Sequence, residues 1–283
     1  MIIAAYNEAA VIGRNLDRLL ADAEPGELEV IVVANGCHDG TAAVAATRGV
    51  RVVDLPTPGK AGALNAGDAA ATGHPRIYLD ADVGATTATV RALVAALGGP
   101  DAPGPLVAVP DRTLDLSGRP LAVRAYFAVQ SRLPAARTGL YGRGMIAVSA
   151  AGRARFDTFP DVLADDLFLD ALFAPDERVV VGSVRTTVST PRRTGDLVRR
   201  LARVRRANAT LRREAAALGL AEVRPSSRTS WLTDVVLRRP WLAPAGVVYA
   251  ALTLTAERRA RRGDGDWGHD TSSRGVTPDG TGR

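Results

Sequence analysis

The sequence alternates short apolar segments with helical patterns as far as residue 79, and polar clusters follow the apolar segments. These apolar and helical segments lie at 1–5, 9–20, 29–33, 41–47, 50–55, 61–71 and 76–79. Strands that alternate with helices predict an α/β fold with a mostly parallel sheet covered on both faces. Such sheets bind ligands at the carboxyl ends of their strands. We therefore expect a site where the polar clusters lie.

The cluster Asp80-Ala81-Asp82 follows the fourth apolar segment and carries two carboxylates. Residues two apart in a strand point the same way, so these two side chains are expected to converge. Mg²⁺ and Mn²⁺ prefer oxygen ligands and are often shared between carboxylates and substrate phosphates. The pattern predicts a metal on Asp82 and Asp80. The alternative is helix N-capping, because a helical pattern follows at 86–97.

A second pair of acids, Asp165-Asp166, precedes another helical pattern. A carboxylate in a reactive cleft can take a proton from a hydroxyl group. Acids at a helix start are equally typical of capping and of a favourable interaction with the helix dipole. From these residues alone, both interpretations stay open. Between the two acidic pairs, a strand at 106–109, a helix at 121–133 and a loop with glycines at 139, 142 and 144 are expected.

Taken in order, five motifs resemble those of the family 2 glycosyltransferases, which have the GT-A fold. They are Ala-Tyr-Asn-Glu at 5–8, Ala-Asn-Gly-Cys-His-Asp-Gly-Thr at 34–41, Gly-Lys-Ala-Gly-Ala-Leu-Asn at 59–65, Asp-Ala-Asp at 80–82 and Asp-Asp at 165–166. Each motif alone is weak, but five in the right order are specific. The resemblance covers roughly residues 1–210.

The resemblance implies an inverting transfer of one sugar from a nucleotide-sugar donor to a hydroxyl acceptor. It implies Mg²⁺ or Mn²⁺ as cofactor on Asp82 and Asp80, with Asp80 facing the ribose. It also implies Asp166 as general base and Asp165 as helix cap or acceptor contact. The residues expected to bind the donor are Ala5, Tyr6, Asn7, Glu8, Asn35, Asp39, Lys60, Asp80 and Arg203.

The sequence departs from the family pattern at Ala34-Asn35, where the family has an acidic pair. An Asn amide both donates and accepts, so it suits the adjacent N–H and carbonyl of uracil or thymine. We therefore expect a UDP- or dTDP-sugar. The Gln-x-x-Arg-Trp motif of processive synthases is absent from 197–208, which favours transfer of a single sugar.

Three other functions compete with this one. A catalytically inactive GT-A module that binds nucleotide sugar is the main alternative, because of the Ala34-Asn35 departure. A nucleic-acid binder would interleave aromatic residues with its arginines, and 192–213 contains none, so no nucleic-acid partner is expected. A nucleotidyltransferase would place a glycine-rich phosphate loop after the first strand, where Tyr6-Asn7-Glu8 stands.

Charge divides the chain into a catalytic domain at 1–190, a basic helical segment at 191–262 and a disordered tail at 263–283. The basic segment has 17 arginines and five acidic residues. Within it, Trp241–Ala256 is uncharged, and it is expected either to dock on an anionic membrane surface or to pack on the core. A single cysteine, Cys37, and no secretory leader predict a cytoplasmic protein, peripheral to the membrane where the docking alternative holds.

Overall fold

The computed structural model describes residues 1–98, 104–161, 164–220, 223–224 and 227–262. The predicted disordered tail at 263–283 lies outside the described residues. The strands are β1 (Ile2–Ala5), β2 (Ile31–Asn35), β3 (Arg51–Leu55), β4 (Arg76–Asp80), β5 (Val107–Asp115), β6 (Met145–Val148) and β7 (Arg178–Ser189). The helices are α1 (Ala9–Leu20), α2 (Thr41–Ala46), α3 (Lys60–Ala70), α4 (Thr87–Ala96), α5 (Leu121–Gln130), α6 (Pro134–Thr138), α7 (Ala150–Arg153), α8 (Asp165–Leu172), α9 (Thr194–Glu214) and α10 (Ala243–Arg261).

The strands form one sheet of seven in the order β3-β2-β1-β4-β6-β5-β7. The first four strands pair in parallel, whereas β6 lies antiparallel between β4 and β5. The predicted α/β class with a mostly parallel sheet is confirmed. The predicted strand at 29–33 begins only at Ile31, and β6 and β7 were not predicted. Strand β6 is only four residues long and buried along its whole length, so it lacks the alternation that marks a strand.

The core lies on both faces of the sheet because neighbouring strand residues point to opposite sides. Ile2 and Tyr78 belong to the layer beneath α3 and α8, and Ile3 and Leu79 belong to the layer beneath α1 and α4. Each fully buried side chain of this size stabilises the fold by about 1.5–3 kcal/mol. Gly67 lets α3 approach β1 closely, because a Cβ there would collide with Ile2. The sheet is therefore a rigid platform for the loops at its carboxyl edge.

The two C-terminal helices pack on the body. Helix α9 contributes Ala207 and Leu211 to the same core layer as α8. Helix α10 packs against α5 and α9, with the ring of Tyr249 stacked on Tyr126 at 5.0 Å between centroids. One face of α10 therefore packs on the body of the protein, as the core-packing alternative predicts. Over the described part of the chain, no helix has the length and apolar character needed to cross a bilayer.

Candidate functional site

The loops that follow β1 and β2 are bonded to each other. Asn7 adopts a positive φ of 53°, and its Oδ1 accepts the His38 N–H at 2.9 Å. The Asp39 carboxylate accepts the backbone N–H groups of Ala9 at 3.1 Å and of Thr41 at 3.0 Å. Asn7 and Asp39, both predicted donor-binding residues, thus hold the two loops together at the edge of the sheet. Their direct contact with a donor stays a prediction.

Asn35 does not fulfil the expectation that its amide meets a nucleotide base. It lies at the end of β2, where only 4% of the residue is exposed. Its Nδ2 donates to the Ala5 carbonyl at 2.8 Å, and its Oδ1 accepts the Gly59 N–H at 3.0 Å. Because both ends of the amide are bonded to backbone, Asn35 fastens β1 to the start of α3. The argument for uracil or thymine therefore loses its support.

Lys60, at the first position of α3, connects two predicted acidic centres. Its Nζ lies 2.8 Å from Asp80 Oδ1 and 3.0 Å from Asp165 Oδ2. Burial lowers the pKa of Lys60, but Asp165 and Asp80 outweigh this effect and hold the pKa well above its usual range. The ammonium group is therefore charged at neutral pH. It brings together the end of β4 and the start of α8, which are far apart in the sequence.

Asp82 lies in a turn rather than in a strand. Strand β4 ends at Asp80, whose carbonyl accepts the Val83 N–H at 3.0 Å. The alternation argument for converging carboxylates is therefore wrong, because a strand's periodicity does not extend to residue 82. Asp82 is exposed and follows Asp80 by two residues. The capping alternative is also wrong, because the Thr86 hydroxyl caps α4 by accepting the Thr89 N–H.

Asp166 lies against the glycine loop that joins α6 to β6. Its Oδ2 accepts the Gly142 N–H at 3.1 Å, and its Oδ1 accepts the Leu167 N–H at 2.8 Å. Burial and, after it, the charge of Asp165 raise the pKa of Asp166 to about 6. A carboxyl group with this pKa is ionised at neutral pH and is more basic than an ordinary aspartate.

Neither acid caps α8, which corrects the expectation for Asp165. The N-cap residue is Ala164, and no side chain accepts a hydrogen bond there. Asp165 is the first helical residue, and its carboxylate pairs with Lys60 while its side chain is 16% exposed. Asp165 therefore forms an ion pair with Lys60 and does not cap the helix, and its contact with an acceptor stays a prediction.

These groups line one open cleft. Its polar lining includes Lys60, Asp80, Asp165 and Asp166, and its apolar lining includes Leu64, Tyr78, Leu79, Leu140, Met145, Ile146 and Leu169. Gly144, which lines the cleft, adopts φ 70°, and a Cβ there would collide with buried Val83, so glycine lets this loop pack closely on the core. The cleft therefore holds a partly desolvated candidate base, Asp166, together with the Lys60 ammonium group and the carboxylates of Asp80 and Asp165.

Arg203 of α9 shares a helix face with Ala207 and Leu211, since the three are separated by four residues each. Ala207 and Leu211 are buried in the layer that contains α8, so this face of α9 is turned towards the side of the sheet that carries the site. Its predicted contact with a donor diphosphate stays a prediction.

Sequence reasoning missed Arg112 and the role of Gly142. The Gly142 carbonyl accepts Arg112 Nη1 at 2.8 Å, while the Gly142 N–H binds Asp166. The three glycines within six residues were a signal for a loop, and two of them, Gly142 and Gly144, adopt positive φ. Nothing in the sequence indicated that this loop contacts the acidic pair.

Comparisons with known proteins identify a family by its model and similar folds by structure. The family model described as Glycosyl transferase family 2 matches residues 1–154. A mannosyltransferase from Pyrobaculum calidifontis, solved with GDP-Man and Mn²⁺, is 19% identical with a TM-score of 0.63, covering 92% of this chain and 86% of its own. A glucosyl-3-phosphoglycerate synthase from Mycobacterium tuberculosis, solved with Mn²⁺, UDP and phosphoglyceric acid, is 23% identical with a TM-score of 0.54, covering 78% of both chains. No curated protein matches the chain.

Proposed function

The chain belongs to glycosyltransferase family 2, and from that premise we propose that it transfers one sugar from a nucleotide-sugar donor to a hydroxyl acceptor with inversion. The observation that carries the proposal is the position of Asp166. Its carboxylate lies in the same cleft as Lys60 and Asp80, and its pKa is raised to about 6. A base of that strength beside a donor site suits removal of a hydroxyl proton.

In the proposed reaction, Asp166 accepts the proton of the acceptor hydroxyl. The acceptor oxygen then forms a bond to the anomeric carbon as the bond from that carbon to the diphosphate breaks. The bonding electrons leave with the nucleoside diphosphate. Asp165 holds Lys60 at 3.0 Å, and Lys60 orients Asp80 at the edge where the ribose and phosphates are proposed to bind.

The donor is proposed to be a nucleoside diphosphate sugar. The expectation of a UDP- or dTDP-sugar depended on the Asn35 amide, which forms hydrogen bonds with the backbone of Ala5 and Gly59. UDP-glucose and GDP-mannose are the first donors to test, because structural neighbours were solved with UDP-glucose and with GDP-Man.

Mg²⁺ or Mn²⁺ fits this site as a shared ion. Asp82 is exposed two residues after Asp80, which lines the cleft. Within the described ranges, no three His, Cys, Asp or Glu side chains form a group that could hold a metal by themselves. An ion on these aspartates would take its other oxygen ligands from the donor's phosphates. When bound, it would neutralise charge on the leaving diphosphate.

The C-terminal segment supports peripheral contact with an anionic membrane as part of this proposal. The face of α10 opposite the packed face leaves Val247 69% exposed and Leu254 51% exposed, and Trp241 just before the helix is 73% exposed. Arg238 and Arg258, both exposed, flank this surface. Apolar and aromatic side chains bordered by arginines are typical of helices that lie on anionic lipid.

The proposed chemistry is tested by replacing each acid of the pair. Asp166→Asn keeps the shape of the side chain but cannot take a proton, so turnover should fall by about 10²–10⁴. Asp165→Asn should cost less, because it removes an ion pair with Lys60 and leaves the base. The measurement is nucleoside diphosphate release from UDP-glucose and GDP-mannose with a panel of hydroxyl compounds.

The inactive-module alternative predicts a different outcome. Binding of a donor by the wild type without turnover for any acceptor would favour it. Wild-type turnover in both single variants and in the double variant would overturn the carboxylate mechanism. A larger loss at Asp165 than at Asp166 would move the base by one residue.

A further inference from the structure

Gly142 is the residue of the glycine loop that meets the proposed base, and its backbone is bonded on both sides. Its N–H donates to Asp166 Oδ2 at 3.1 Å, and its carbonyl accepts Arg112 Nη1 at 2.8 Å. These two groups belong to successive planar peptide units, so only φ and ψ of Gly142 relate their orientations. Glycine at φ 67° has more backbone freedom than any other residue. The direction of the N–H therefore depends on what fixes the carbonyl.

The two ends of the glycine loop are held by other contacts. The Leu140 N–H donates to Asp170 Oδ1 at 2.9 Å, and the Gly144 carbonyl accepts the Asp80 N–H at 2.9 Å. Loss of the contact at the Gly142 carbonyl is therefore expected to release this one residue and to leave the rest of the loop in place.

Arg112 is suited to fixing Gly142, because its own position is determined by two elements. It lies in β5 opposite Thr186 of β7, and its Nη2 donates to Gln130 Oε1 of α5 at 3.3 Å. The residue is half-buried, and burial lowers the pKa of its guanidinium. Its bonds to Gln130 and Gly142 are both to uncharged oxygens, and a charged donor makes such bonds stronger.

We infer that Arg112 is a positioning residue for the proposed base, fixing the Gly142 carbonyl so that the Gly142 N–H points at the Asp166 carboxylate. This inference rests on the proposed function and adds a residue to its machinery. The N–H stabilises the ionised carboxylate and holds it in one orientation for accepting the hydroxyl proton. Arg112 acts on the reaction only through Gly142 and Asp166.

The other titratable groups around Asp166 stay in place when Arg112 is replaced. They are Asp165 on α8, Lys60 at the start of α3, Asp80 at the end of β4 and Tyr141 in the glycine loop. The Gly142 bond lowers the pKa of Asp166 against the effect of burial. Without this bond more of the carboxyl group is protonated at a given pH, so activity that needs the ionised form should decline at a higher pH.

The contact can be disturbed from both sides, each with a matched control. Arg112→Gln removes the guanidinium, and Arg119→Gln is its control, because Arg119 is also half-buried and donates to a loop carbonyl, that of Thr190, at 3.0 Å. Gly142→Ala places a Cβ 2.7 Å from Arg112 Nη1 and so displaces the guanidinium. Gly118→Ala is its control, because Gly118 has a similar φ of 64° but open space around an added Cβ.

The first measurement needs no substrate and follows the Asp166 carboxyl carbon by ¹³C NMR in the full chain. Its midpoint should lie near pH 6 in the wild type. In Arg112→Gln the midpoint should rise by about one pH unit, and hydrogen exchange of the Gly142 amide should become about tenfold faster or more. Arg119→Gln should match the wild type in both.

The second measurement is nucleoside diphosphate release from UDP-glucose and GDP-mannose in Mn²⁺, with the panel of hydroxyl compounds, as a function of pH. Arg112→Gln and Gly142→Ala should lower kcat about tenfold or more, leave the donor KM within about twofold and move the acidic limb up by about one pH unit. Arg112→Lys should restore part of kcat, because an ammonium group still donates to the carbonyl. In an Asp166→Asn background, Arg112→Gln should cost nothing further.

Two results would overturn the inference. One is an Arg112→Gln variant that equals Arg119→Gln in kcat and in the carboxyl midpoint. The other is a loss of kcat in Arg112→Gln that is equally large in the Asp166→Asn background, because Arg112 would then act elsewhere. If Arg112→Gln does not fold by circular dichroism, Gly142→Ala against Gly118→Ala decides the question. The expected NMR differences without turnover of either donor would reject the proposed function and leave the positioning contact established.

Discussion

Helix α8 presents two acidic environments one turn apart. At its start, Asp166 accepts the backbone N–H groups of Gly142 and Leu167, and Asp165 shares Lys60 with Asp80. One turn later, Asp170 is 1% exposed, and its oxygens are fully engaged.

The Asp170 carboxylate accepts the Leu140 N–H at 2.9 Å, Arg178 Nη1 at 2.7 Å and Arg224 Nε at 3.0 Å. It ties α8 to the glycine loop, to β7 and to the segment after α9. The Asp170 carboxylate, paired with two arginines, holds segments of the chain together. The Asp166 carboxylate forms no ion pair with a described residue and has a raised pKa, so it keeps a lone pair for accepting a proton. Charge compensation, not residue type, distinguishes the two.

The largest expected effect is on stability, from replacing the structural carboxylate Asp170. Asp170→Ala leaves Arg178 and Arg224 without their carboxylate, so the free energy of unfolding should fall by about 3–5 kcal/mol. Urea denaturation of the full chain measures it. Asp176→Ala, which changes an exposed acid beyond the end of that helix, is the control and should stay within about 0.5 kcal/mol of the wild type. Equal stability of the Asp170 variant and the control would show that Asp170 does not stabilise the fold.

The next largest effect concerns the metal proposed to bind at Asp82. Asp82→Asn removes a ligand charge from an exposed turn, so the fold should be unaffected. Mn²⁺-dependent affinity for the nucleoside diphosphate that the wild type binds should fall at least as much as the 10–100-fold typical of losing a supporting residue around a metal. Calorimetry with and without Mn²⁺ checks this, with Asp176→Asn as control. An unchanged Mn²⁺ dependence would remove Asp82 from the site.

The smallest effect tests whether the exposed face of α10 belongs to a membrane surface. Trp241→Ser combined with Val247→Ser should weaken binding to anionic vesicles about tenfold, because each side chain loses apolar contact with lipid. Ala251→Ser, on the same exposed face, is the control. Flotation with phosphatidylserine vesicles at low and high salt measures the effect. Equal flotation of all three proteins, or a salt-independent concentration-dependent dimer, would assign the face to another partner.

Much of the fold could be predicted because local pattern and tertiary position agree over β1–β4. Each apolar segment ends in polar residues, and α1 begins and ends where its periodicity does. Strand β6 could not be predicted, because four buried residues have no helix or strand period of their own.

The candidate site was predictable as a set of residues but not as a set of contacts. The resemblance named Lys60, Asp80 and Asp165, yet nothing in the sequence placed one ammonium group between the two carboxylates. Asn35 shows the opposite failure. Its amide suits a base in isolation, and only the structure reveals that backbone groups already occupy it.

The raised pKa of Asp166 also affects the stability of the fold. Since the pKa of Asp166 is raised to about 6, the native state binds this proton more tightly than the unfolded chain, where Asp titrates near ~3.9. The ionised carboxylate therefore destabilises the fold above about pH 6. Asp166→Asn should be more stable than the wild type at pH 8, and the difference should vanish as pH falls towards about 4.

The pH dependence of kcat/KM tests the central claim most directly, that Asp166 is the base. As the group must be ionised to accept a proton, kcat/KM should fall about tenfold for each pH unit below about 6. The acidic limb should disappear in Asp166→Asn, whose low residual rate should not vary with pH in this range. An acidic limb near pH 4, or one at pH 6 that persists in Asp166→Asn, would contradict the assignment.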